Sequence, residues 1–154
     1  MVAAALAALA LAAKAPPPHR FLAVDRRTHT AVITLIASYD GANNGFNYDG
    51  YSRVLMWTVP RGWHIRVVCE NRGALRHSCA VVHGAGTTKL AFPHASTPYP
   101  TIGLKEGERA RFTFRASRDG VFRFACLVYP YSGLYDVLKI VKGGRPSVVD
   151  LQAR

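Results

Sequence analysis

Apolar and polar residues alternate with a period of two along most of this chain, in short runs separated by turn residues. Trp63, Ile65, Val67 and Cys69 alternate with His64, Arg66, Val68 and Glu70, which predicts a strand with one buried face. Arg111 to Arg115 alternates around Phe112 and Phe114, and Val121 to Cys126 around Phe122 and Phe124. Thr28 to Ser38 is β-branched and apolar, and predicts a first strand. Arg53 to Val59 predicts a second, closed by the turn Pro60, Arg61, Gly62. His77 to His83 and Leu134 to Val141 complete the set. Loops fall at Asp40 to Gly50, at Asn71 to Arg76 and over the Pro-containing stretch Gly84 to Gly107. No long amphipathic helix and no internal repeat interrupts the pattern. Seven or so short strands predict an all-β sandwich spanning residues 28–142.

A chain of 154 residues is one domain by length and buries a sizeable core. Residues 1–13 are an uncharged Ala/Leu run, too short to span a membrane as a helix but the length of a signal-peptide core. Ala13, Lys14 and Ala15 offer a cleavage site ahead of Pro16, so export, with a possible membrane tether at the N-terminus, is the expectation. Residues 14–27 read as a basic, Pro-led linker, which makes 1–27 a signal or anchor-like segment, and 143–154 read as a tail.

The formal charge is +11, from fifteen Arg and five Lys against nine acidic residues. Such a balance suits a soluble basic surface, or attraction to an acidic partner or an anionic membrane face. The Arg residues are scattered along the strands with no recognition motif, which argues against nucleic acid. Three Cys are too few for a disulfide scaffold. Cys69 and Cys79 lie symmetrically about the 71–77 turn and face inward by parity, so a cross-sheet disulfide between them is one reading; a Cys79–Cys126 pair is another. No Ser/His/Asp arrangement, carboxylate pair or phosphate loop points to an enzyme.

The lone Cys126 ends one strand at the mouth of a loop containing Pro130 and Gly133, with Tyr129, Tyr131 and Tyr135 around it. By itself it is a small buried hydrophobe, and the tyrosines are amphipathic packing. Five stretches in order alter that reading: Asn44 to Tyr51, Val59 to Trp63, Leu75 to Ser78, Ala91 to Pro98, and Leu134 to Asp136 after the Cys loop. Their succession resembles sulfocyanin, a cupredoxin family of exported or membrane-anchored electron carriers.

The resemblance implies a cupredoxin-like Greek-key sandwich or barrel of seven to eight strands, outside the cytoplasm, that binds copper. Its partners would be an acidic redox protein or a membrane respiratory complex. It further implies His77 as a copper ligand, Cys126 as the thiolate, and Ser78 as the residue whose amide hydrogen-bonds that thiolate. The family's second His falls on Tyr131 when counted from the Cys, or on Tyr129 with the shorter plastocyanin-like spacing. Its axial Met falls on Leu134, a non-ligating side chain that would raise the reduction potential by excluding other donors. A phenol is a poor ligand until it loses a proton, near pH 10 when free, although a bound cation lowers that value. A His77/Cys126/Tyr131 site would therefore bind copper weakly, and a copper-free structural or partner-binding module is the alternative. His83 and His94 are spare imidazoles, His94 on a Pro-rich loop able to fold over the site.

Overall fold

The computed structural model describes residues 16–50 and 54–152; the Ala/Leu run of residues 1–13 lies outside them. Nine strands occur among the described residues: β1 (Leu22–Asp25), β2 (Thr30–Ala37), β3 (Leu55–Pro60), β4 (His64–Asn71), β5 (Ala80–Val82), β6 (Arg109–Arg115), β7 (Gly120–Ala125), β8 (Tyr135–Val141) and β9 (Ser147–Asp150). They form two sheets, ordered β1-β2-β4-β6 and β5-β7-β8-β3-β9. The pairs β2/β4 and β3/β8 are parallel, and the remaining neighbours are antiparallel. This is the all-β sandwich that the alternation predicts.

Each long strand buries the side chains of one parity. On β4 these are Ile65, Val67 and Cys69; on β6, Phe112 and Phe114; on β7, Phe122 and Phe124. They meet Leu35, Trp57, Leu138 and Ile140 from the other strands in one continuous core, the apolar burial that drives folding. Part of the long connection is also core. Phe92 packs against Phe114 of one sheet at 5.2 Å and Phe122 of the other at 4.8 Å, closing the gap between them. His94 is exposed on the turn after Phe92, and His83 Nε2 sits 3.2 Å from the Arg118 guanidinium; among the described residues neither joins His77 and Cys126 in a cluster of three donors.

The folded unit is wider than residues 28–142. Leu22–Asp25, placed in a linker by sequence, pairs with Ile33–Thr30 as an edge strand. Ser147–Asp150, placed in the tail, pairs with Thr58–Leu55. Both are four-residue edge strands with largely exposed side chains. Backbone pairing and one packed side chain each, Leu22 and Val148, hold them, so neither carries the apolar alternation that marks the inner strands. Register also gathers what the sequence disperses: His64, Arg66 and Val68 face Arg115, Thr113 and Arg111, which places Arg66, Arg111 and Arg115 together on the outer face of the four-stranded sheet.

Three elements end at one pole of the sandwich. β2 runs into Ser38, β7 into Cys126, and the strand-like segment His77–Cys79 leads into β5. A disulfide joins Cys69 of β4 to Cys79, with 6.0 Å between the Cα atoms. That links the first sheet to the His77 segment, while Cys126 remains a free, buried thiol.

Candidate metal centre

His77 is fixed first through its backbone, which exchanges two hydrogen bonds with Leu104 (3.3 and 2.7 Å). Its ring then points inward, 2 % exposed, with Nδ1 3.7 Å from Cys126 Sγ. Two donors bonded to one ion at about 2.0–2.3 Å would lie roughly 3.5–4 Å apart. The pair is therefore spaced to share a single ion.

Ser78 holds the sulfur in place. Its amide donates to Cys126 Sγ (3.4 Å), and its hydroxyl accepts from the Leu127 amide (2.9 Å), 3.8 Å from the same sulfur. Behind it, the Tyr48 hydroxyl donates to the Ser78 carbonyl (2.6 Å). Burial and the neighbouring Cys126 push that phenol well above its ordinary pKa, so Tyr48 stays a neutral donor.

The other face of His77 meets a residue that the sequence did not single out. Ser38 Oγ lies 3.0 Å from His77 Nε2 and donates to the Gly45 carbonyl at 2.6 Å. A hydroxyl at the end of a predicted strand is an ordinary surface feature, so nothing in the sequence marks it. Ser38 and His77 line an open depression of about 350 Å³ between Gly45 and Gly73.

Aromatic rings form the remaining wall. Phe46, His77 and Tyr129 stand edge to face in a triangle, with centroids 5.7, 5.4 and 5.9 Å apart. Tyr129 stands beside His77, and Tyr131 does not. Tyr131 is 84 % exposed, its ring lying over Gly86, where an added Cβ would come within 2.5 Å of it. Leu134, aligned with the axial position, is buried and has no donor atom. Among the described residues no three His, Cys, Asp or Glu side chains converge, which leaves His77 and Cys126 as the strong donors.

Burial also lowers the pKa of His77. In the metal-free protein the ring is held neutral, whereas in the unfolded chain it takes up a proton near pH ~6.5. Stability from this residue is therefore present above that pH and is lost as pH falls through it, until the folded-state pKa is reached. Denaturant midpoints measured at pH 7.5 and 5.5 are expected to differ more for the native chain than for His77→Gln. An equal loss in both would assign the acid sensitivity to other groups.

With this geometry in place, a family model described as the Sulfocyanin (SoxE) domain matches residues 17–96, more than half of the chain. This chain belongs to the sulfocyanin family. The match takes in His77 and Ser78 and ends before Cys126. Sulfocyanins are electron carriers rather than enzymes. No curated protein matches the sequence.

Among solved structures, the reduced auracyanin of the photosynthetic bacterium Roseiflexus castenholzii aligns at 20 % identity and a TM-score of 0.53, over 77 % of this chain and 99 % of that one. Auracyanin A of Chloroflexus aurantiacus, a "blue" copper protein, aligns at 14 % identity and 0.52, over 73 % and 99 %. A rusticyanin aligns at 15 % identity and 0.54, over 79 % and 87 %. At these identities the likeness establishes the cupredoxin fold.

Proposed function

We propose that this sulfocyanin-family protein is an exported copper-binding electron carrier that passes single electrons between respiratory partners. The observation that carries the reading is the 3.7 Å approach of His77 Nδ1 to Cys126 Sγ inside the core. A soft thiolate with an imidazole suits copper, and copper bound there would supply one-electron redox chemistry. The residues around the pair do the rest. The Ser78 amide stabilises negative charge on the sulfur, and such a bond tunes the potential of a metal site. Phe46 and Tyr129 beside His77 add no further imidazole, thiolate or carboxylate. The basic face bearing Arg66, Arg111 and Arg115 favours docking to an acidic redox protein or a membrane respiratory complex. The Ala/Leu run of residues 1–13 is the basis for placing the protein outside the cytoplasm, with a tether at the N-terminus.

Copper titration of the full chain tests this. Copper at a hundredfold excess over its Kd is expected to add about 2.7 kcal/mol of stability, and Cys126→Ser is expected to abolish most of it. Unchanged melting with stoichiometric copper in the native chain would remove the electron-carrier reading.

A second reading, a copper-free cupredoxin with a structural or partner-binding role, is favoured by one observation. The polar atoms of His77, Ser78 and Cys126 are already partnered by protein groups. On that reading, copper leaves stability unchanged while a partner protein raises it.

A further inference from the structure

We propose that Ser38 is a positioning residue that fixes the tautomer and orientation of His77, holding the Nδ1 lone pair toward Cys126. The argument begins with one proton. A hydroxyl has a single hydrogen, and Ser38 Oγ is 2.6 Å from the Gly45 carbonyl, which only accepts. The Ser38 proton is committed there, so toward His77 Nε2, at 3.0 Å, the oxygen offers a lone pair. Nε2 must then carry the ring proton. In a neutral imidazole the other nitrogen is left as the acceptor, and that nitrogen is the one 3.7 Å from Cys126 Sγ.

The backbone at Ser38 is the second observation. Its φ is +53°, a left-handed conformation that costs a non-glycine residue energy. Glycine would adopt it more cheaply, so the contribution of serine at this place is its hydroxyl. The surroundings are shaped to hold that hydroxyl. A Cβ on Gly73 would come within 2.3 Å of Ser38 Oγ, and one on Gly45 within 3.2 Å. Two residues without side chains thus leave room for the oxygen between strand end and histidine. Partners of this kind, which set the tautomer and ring angle of a ligating histidine, are typically worth 10–100-fold in metal affinity. That consequence rests on the copper reading above; the tautomer does not.

The full chain labelled with nitrogen-15 supplies the test, using the imidazole resonances of the metal-free protein. His77 is expected to show a slowly exchanging proton on Nε2 and an unprotonated Nδ1. Ser38→Gly relieves the backbone and removes the hydroxyl together with Cβ, so it is expected to melt no lower than the native chain yet lose the slow ring proton. Ser38→Ala, which retains Cβ, is expected to lose it as well. With copper itself as the probe, both variants are expected to bind 10–100-fold more weakly. A native ring proton on Nδ1 overturns the proposal, and so does an Nε2 proton that persists unchanged in Ser38→Gly. A protected Nε2 proton that disappears in both variants, in a chain that binds no copper, sustains the role of Ser38 and removes the electron-carrier reading instead.

Discussion

Tyr129→His is expected to convert the candidate centre into a blue copper site, visible as a strong sulfur-to-copper charge-transfer band in the copper(II)-loaded protein. The Tyr129 ring centroid is 5.9 Å from that of His77. A blue site needs two imidazoles and one thiolate in a near-trigonal arrangement, and this substitution supplies the imidazole that the loop lacks. Copper affinity is expected to rise at least tenfold, about 1.4 kcal/mol. Tyr131→His is the control. Its ring lies outside, over Gly86, so it is expected to add neither colour nor affinity. A band appearing in Tyr131→His and not in Tyr129→His would mean that the loop refolds around the metal. If neither variant gained one, His77 and Cys126 would not present a third equatorial position.

The largest expected loss of folding stability comes from Asp136→Asn. This carboxylate is fully buried at the start of β8, accepting from the Leu55 amide at 2.9 Å and from Trp57 Nε1 at 3.0 Å. It therefore joins the first turn of pairing between β8 and β3 to the largest side chain of the core. An asparagine has one acceptor oxygen where two donors converge, and its amide group would face an N–H. Losing a charge-assisted bond and stranding a buried donor costs about 2–4 kcal/mol. For a chain of this length that corresponds to a fall of roughly 5–15 °C in Tm. Asp150→Asn, on an edge strand where the side chain accepts from the Gln152 amide, is expected to change stability by about 0.5 kcal/mol or less. Comparable losses in the two variants would show that Asp136 is an ordinary polar residue.

What the sequence conveyed and what it concealed follow from the physics of each element. Strands with one face in the core write a period-two signature, so β2, β4, β6, β7 and β8 were legible. β1 and β9 were not, because an edge strand held by backbone pairing leaves side-chain identity nearly free. His77, Ser78 and Cys126 were legible as a set because their order and spacing matched a family pattern, and the structure brings His77 and Ser78 to the Cys126 sulfur. The choice between Tyr129 and Tyr131 was left open by counting alone, since loop length does not dictate which side chain turns inward. In the structure Tyr129 meets Phe46 and His77, while Tyr131 lies over the bare backbone of Gly86. Ser38 was invisible because its role depends on a left-handed backbone angle and on two distant glycines.

The Cys69–Cys79 link has a consequence at the bench. Cys79 is two residues beyond His77 in the chain, so cleaving that bond frees the histidine segment from the strand that anchors it and forfeits about 2–4 kcal/mol of cross-link stabilisation. Small-molecule thiols in a purification buffer would both sever the tether and compete for soft metal ions. Protein matured in an oxidising compartment, and kept free of such reductants, is the preparation in which the pocket keeps its shape.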